Sequence, residues 1–312
     1  MFLFLLAIAC GCLGLYFGGD LLLKGATVVG RLLGWSAAVI GFVLISLGTS
    51  APELFVSAGA ALQGYGDVAA GNVVGSNIVN IAIVLGLGAL IMPLAINRAI
   101  RVHQLPLMLG LTVMGFGFLV DGHLGRIAGA FLLSGAVGSV WWVMRVDGVP
   151  DLEEALGEEV RQAEPHSIWP SLFFITAGVL LLLLGAQSLI WGGVGLATYF
   201  GVPDAVVALT VTSIGTGLPE ITATVMAVIR RDTDMAVGNV VGSNMLNIGL
   251  VLGFSGLVSP INSRGVDMLP LSIMLLLSFL VLLLAWRPGH VGRWVGGSLL
   301  AAFAAYTVLL VQ

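Results

Sequence analysis

The chain has 312 residues, of which 58% are hydrophobic and 9% charged, and its mean hydropathy is +1.09. A soluble domain carries roughly a quarter charged residues, so a cytosolic enzyme, a nucleic-acid binder and a disordered scaffold are excluded. The formal net charge of -4 carries little weight, because seven of the sixteen acidic residues fall in one central stretch.

Apolar runs predict ten membrane spans, at 2–23, 32–63, 67–91, 103–120, 124–144, 168–190, 199–229, 233–258, 268–286 and 291–311. The first run has no basic residue ahead of it and is too long for a secretory signal core, so it reads as a true span. It carries both cysteines, Cys10 and Cys12, which are expected as small buried packing residues. Two cysteines make neither a disulfide framework nor a thiolate metal site. The second and seventh runs are too long for one straight span, and each contains a proline. Gly14/Gly18, Gly71/Gly75 and Gly238/Gly242 have the small-xxx-small spacing that lets helix backbones approach closely in lipid.

The positive-inside rule sets the orientation. With the N-terminus outside, the inside loops hold Lys24, Arg31, Arg98, Arg101, Arg145, Arg161, Arg230, Arg231, Arg287 and Arg293. The outside loops hold only Arg126 and Arg264. Both termini are therefore expected outside, with residues 145–167 in the cytoplasm. The seven tryptophans fall near span ends, where an amphipathic ring suits the headgroup region.

The chain also contains itself. Residues 46–90 align without gaps on 213–257, at a constant offset of 167, with 21 of 45 positions identical. GTSAPE at 48–53 matches GTGLPE at 215–220, and GNVVGSNIVNI at 71–81 matches GNVVGSNMLNI at 238–248. Five spans precede the second unit. The halves are thus expected to lie in the membrane with opposite orientation, a plan common among secondary transporters.

Within this repeat, Glu53 and Glu220 are read as the intramembrane acids, with no basic partner at their depth. Such residues usually mark an ion or proton path. Pro52 and Pro219 precede them, and proline suits the first turn of a helix better than its interior. The spans should therefore break near Thr49 and Thr216, freeing carbonyls that are tolerated at that depth only where they line a cavity or ligate something. Ser76 and Asn80, like Ser243 and Asn247, are four residues apart and share one helix face. Asn72 and Asn239 lie on nearly the same stripe, where helix-to-helix hydrogen bonding is the expected role. Every candidate ligand is an oxygen, which suits a hard cation such as Ca²⁺. Two carboxylates match its charge, and Na⁺ competing for the same pair suffices for exchange. No intramembrane histidine or Cys/His pair suggests an enzyme.

These residues resemble the alpha-repeats of the cation/calcium antiporter superfamily, in its prokaryotic sodium/calcium exchanger branch. The resemblance implies an all-α polytopic membrane protein of ten transmembrane helices, arranged as two inverted five-helix repeats with helices 2 and 7 broken. The repeats would occupy 1–144 and 168–312, joined by an acidic linker at 145–167. It implies Ca²⁺ efflux driven by Na⁺, both bound as substrates, with no cofactor, no nucleic acid and no obligatory protein partner beyond the lipids of a bacterial or archaeal cell membrane. By position, Glu53 and Glu220 would be shared Ca²⁺ and Na⁺ ligands, with the carbonyls of Thr49 and Thr216 completing the calcium site. Ser46, Ser50, Ser76, Ser213 and Ser243 would flank it as sodium ligands, with Asn80 and Asn247 lining the centre.

Two departures matter. Gly217 stands where the first repeat has Ser50, and Asn247 stands where some members carry Asp. A proton-coupled calcium exchanger is the alternative, since empty paired carboxylates repel and one can hold a proton. The stretch 147–164, with Asp147, Asp151, Glu153, Glu154, Glu158, Glu159 and Glu164, lacks EF-hand spacing and is expected as a solvated linker.

Overall fold

The computed structural model describes residues 1–147, 168–200, 215–286 and 290–311. Most of the acidic linker, Ser213 and the first part of the seventh span lie outside the described residues. Those described form α1 (Phe2–Leu32), α2 (Ala37–Thr49), α3 (Ala51–Leu62), α4 (Gly66–Ile91), α5 (Ile100–Val120) and α6 (Arg126–Val146). There follow α7 (Ile168–Tyr199), α8 (Leu218–Ile229), α9 (Thr233–Val258), α10 (Met268–Trp286) and α11 (Arg293–Val311). Seven of these helices are long and apolar enough to cross a membrane, and α2 with α3, bent by 46° at their junction, makes an eighth.

The junction follows from its sequence. Pro52 stands in the first turn of α3 and has no N–H, so the carbonyl of Gly48 loses its partner four residues on. Ser50 leaves helical geometry at φ -82°, ψ 4°, and the span bends there. Within α4 and α9 the backbone widens into a π turn at Asn80–Leu85 and again at Asn247–Leu252.

The duplication extends well past the aligned segment. First residues at 51, 66, 80, 94, 123 and 126 recur at 218, 233, 247, 261, 290 and 293, each 167 further on. Four two-residue strands, β1 (Leu94–Ala95), β2 (His123–Leu124), β3 (Ile261–Asn262) and β4 (His290–Val291), pair across the halves. Leu94 opposes Val291 in one ladder and Leu124 opposes Ile261 in the other, the same pair with the halves exchanged. Gly86 on α4 likewise meets Gly296 on α11, and Gly253 on α9 meets Gly129 on α6.

The two first helices pack on each other through small residues. Gly11 lies against Gly185, Gly18 against the Gly178–Leu182 turn, and Gly25 against Ser171. Rising numbers on α1 meet falling numbers on α7, so these equivalent helices run antiparallel. The contact admits no larger side chain: a Cβ on Gly178 would stand 2.6 Å from the backbone nitrogen of Leu22. Gly238 and Gly242 on α9 are as close to the backbone of Ala38 and Phe42 on α2. Gly71 and Gly75 have no such close neighbour among the described residues.

Three expectations require correction. The first and sixth spans run about nine residues past their expected ends, to Leu32 and Tyr199, so Lys24 and Arg31 are helical and not in a loop. Lys24 continues the helix because its ammonium meets Asp20 one turn earlier at 2.7 Å. Asp20, already within the expected 2–23, is a further acid inside an apolar helix in addition to Glu53 and Glu220, and it pairs with Arg230 as well. Cys10 and Cys12 are exposed, not buried. They flank Gly11, and the glycine takes the contact with α7.

Candidate cation site

Both acids occupy the first turn of a short helix, Glu53 in α3 and Glu220 in α8. A helix N-terminus favours negative charge there. Neither is accessible, with Glu53 0% and Glu220 1% exposed. Ser76 and Asn80 on α4 and Ser243 and Asn247 on α9 are buried too, as are Ser46, Thr49 and Ser50.

The halves interlock around these residues. The Ser50 hydroxyl, at the break in the first half, donates to Glu220 Oε1 in the second over a long 3.4 Å. The Thr49 hydroxyl lies 3.5 Å from that of Ser243. Ser76 faces Glu53, without completing a hydrogen bond to either carboxylate oxygen. Helix α3 packs on the π turn that begins at Asn247, and α8 packs on the one that begins at Asn80. Each acid-bearing helix thus abuts the asparagine turn of the other half.

Many polar atoms here have no partner among the described residues. Both oxygens of Glu53, Oε2 of Glu220, both amide atoms of Asn247 and Nδ2 of Asn80 are buried without a hydrogen bond among the described residues. The ion pairs found among those residues join Asp20 to Lys24 and Arg230, and His103 to Asp147, so none reaches either glutamate. An uncompensated buried carboxylate costs several kcal/mol, on the order of that for any desolvated ion. Carboxylate, hydroxyl and amide oxygens converging without a basic residue form a donor set for a hard cation.

Nine of the eleven residues expected from the sequence are buried in this region. Ser46 donates its proton to the Phe42 carbonyl, which leaves its oxygen lone pairs available. Thr216 is half-buried in the turn before α8, and Ser213 lies outside the described residues. Gly217 has φ -82°, ψ 0°, nearly the conformation of Ser50, so its backbone is one that any residue adopts.

Ser57 and Thr224 were not expected. Asn72 donates to the Ser57 hydroxyl at 3.0 Å and Asn239 to that of Thr224 at 2.9 Å, tying α3 to α4 and α8 to α9. The available signal was a hydroxyl four residues after each glutamate, hidden because serine and threonine do not score as identical. Asn244 is buried with neither amide atom partnered among the described residues, whereas its equivalent Asn77 donates to the Val73 carbonyl at 2.8 Å.

The family described as sodium/calcium exchanger protein matches residues 3–145 and 170–312. The inner membrane protein YrbG of Escherichia coli (strain K12) is 33% identical, over 96% of this chain and 94% of its own. The sodium/calcium exchanger MaX1 of Methanosarcina acetivorans is 29% identical over 96% of each chain. Among solved structures, the sodium-calcium exchanger NCX_Mj soaked with Na⁺ and Sr²⁺ superposes with a TM-score of 0.84 at 28% identity, covering 97% of each chain.

Proposed function

Because the chain belongs to the sodium/calcium exchanger family, we propose that it couples Ca²⁺ movement to Na⁺ through a site centred on Glu53 and Glu220. A cation/calcium antiporter needs ligands that two ions share in turn. The observation that carries the reading is the pair of buried, equivalent glutamates with no ion-pair partner among the described residues, one bridged by a hydroxyl from the opposite half. Ca²⁺ takes about 6–8 oxygens at roughly 2.3–2.6 Å. Two carboxylates neutralise it, and Thr49, Thr216, Asn80 and Asn247 supply neutral oxygens. Na⁺, held also by Ser46, Ser50, Ser76, Ser213 and Ser243, uses the same carboxylates. Joint occupancy would overfill the site, so one ion leaves as the other binds.

Ten spans in two inverted five-helix repeats, at 1–144 and 168–312 around a 145–167 linker, account for the constant offset of 167 and the antiparallel α1 and α7. Exposure of the site to alternate sides then follows from one repeat rocking against the other. With both termini outside, a tag at either end should be reached from the periplasmic side, and one at residue 155 only from the cytoplasm. Accessibility labelling of intact cells decides this, and cytoplasmic termini would overturn the orientation.

The asymmetry at Ser50 and Gly217 tests sodium coupling. Removing the Ser50 hydroxyl leaves a small hard cation one oxygen short, while both carboxylates still hold Ca²⁺. Ser50→Ala should raise the Na⁺ concentration needed for exchange and change apparent Ca²⁺ affinity much less. Gly217→Ser should shift sodium dependence the opposite way, since its backbone conformation poses no obstacle. Flux across a sodium series is the measurement. An unchanged midpoint in Ser50→Ala removes that residue from the site, and a response to protons alone favours the Ca²⁺/H⁺ alternative.

A further inference from the structure

A groove of about 350 Å³ lies between α6, α2 and α9, away from the polar interior. Leu47, Val140, Trp141, Met144, Leu246 and Leu250 line it, and every lining side chain is apolar. It opens sideways toward the bilayer, because Leu47 and Trp141 on its walls are 51% and 55% exposed. The Arg145 guanidinium stands over the Trp141 ring, 5.3 Å from its centroid. Arg145 makes no ion pair among the described residues, so a fixed positive charge caps one end of an apolar slot.

We infer that this groove holds one acyl chain of a membrane phospholipid whose anionic headgroup meets Arg145. The walls offer nothing to an ion or a polar solute, which would lose its hydration without replacement. The volume sits at the low end of small-molecule pockets, about 300–1,000 Å³, and suits a single hydrocarbon chain. A second protein copy would need a broad face of roughly 800 Å² a side, not a slot. In the bilayer, acyl chains are the surrounding solvent, and a cleft open to them fills with one. Charge complementarity at Arg145 selects an anionic headgroup, and the Trp141 ring holds the guanidinium in place by cation–π attraction.

The position gives the occupant a structural role. Leu47 lies between Ser46 and Thr49, and Leu246 and Leu250 flank Asn247. A seated chain therefore packs behind the wall that carries those residues. Its binding does not depend on which ion drives exchange.

The test uses the full chain in nanodiscs with phosphatidylglycerol carrying a photoactivatable acyl chain, and labelled peptides are mapped. Label is expected within 137–144 and 246–250. Val140→Phe, which fills the groove, should cut it by about tenfold, or about 1.4 kcal/mol. Val140→Ala, which widens the groove, should retain it and guards against misfolding of the larger variant. Arg145→Gln should reduce phosphatidylglycerol labelling to the level seen with phosphatidylcholine. Equal labelling of Val140→Phe and the unmodified chain overturns the groove as the site. Equal labelling by the two lipids in the unmodified chain overturns the anionic headgroup.

Discussion

Glu53→Gln and Glu220→Gln should each reduce Ca²⁺ exchange to background while the protein remains folded in the membrane. Glutamine keeps the shape of glutamate and removes one negative charge. Charge count tunes Ca²⁺ affinity strongly, and among the described residues no third acid gathers with the pair to replace the lost charge. Insertion should survive, because a charged side chain at a helix centre costs about 2.5–3.5 kcal/mol on translocon scales and the amide costs less. The two variants should behave alike, since equivalent residues carry the two halves of the proposed site. The check is isotope flux in vesicles beside a measure of membrane-inserted protein. Near-normal flux in either variant would remove that glutamate from the site.

Gly242→Ala should be nearly as damaging by a different route. A Cβ there would stand 2.2 Å from the Phe42 carbonyl oxygen and 2.7 Å from the Ser46 hydroxyl. The first neighbour is backbone and cannot rotate away, so α2 must move off α9. That separates Thr49 from Ser243, now 3.5 Å apart, and displaces Ser46. Overpacking of this kind typically costs about 1–3 kcal/mol, enough to lower the thermal midpoint visibly. Exchange should fall at least as far as stability, because the shift is centred on the candidate site. Gly110→Ala, whose Cβ would meet no neighbour among the described residues, is the control and should match the unmodified chain. Normal flux in Gly242→Ala would show that the α2–α9 spacing does not set the site.

Much of the helical plan is legible in the sequence because lipid imposes it. The expected spans 233–258 and 268–286 coincide with α9 and α10, since charged or proline-containing segments bound both runs. The end of α1 was missed for a local reason. Lys24 looks like an exit from the membrane, but Asp20 four residues earlier neutralises it on the same helix face. The π turns at Asn80 and Asn247 left no trace, because no residue type marks a one-residue widening of a helix. The burial of Cys10 and Cys12 was misjudged because a small side chain is neutral about its surroundings, and only the position of α7 decides it.

The candidate site was legible in part because it is duplicated. Identity at an offset of 167 picked out Glu53, Glu220, Asn80 and Asn247, all of them buried. The bridge from Ser50 to Glu220 was not foreseeable, since it joins different repeat positions and depends on how the halves face each other. The pairing of Asn72 with Ser57 and Asn239 with Thr224 was hidden for another reason, because alignment scores identity and a hydroxyl partner requires only its chemistry.

The most direct test of sodium-driven calcium exchange is flux from purified protein in vesicles loaded with Ca²⁺, with Na⁺, K⁺ and H⁺ gradients imposed separately. With both ions passing through one pair of carboxylates, as proposed, Ca²⁺ should move under a Na⁺ gradient and stop when the gradient is collapsed. K⁺ alone should leave Ca²⁺ in place, and so should H⁺ alone. Ca²⁺ movement under a proton gradient with no response to Na⁺ would contradict it.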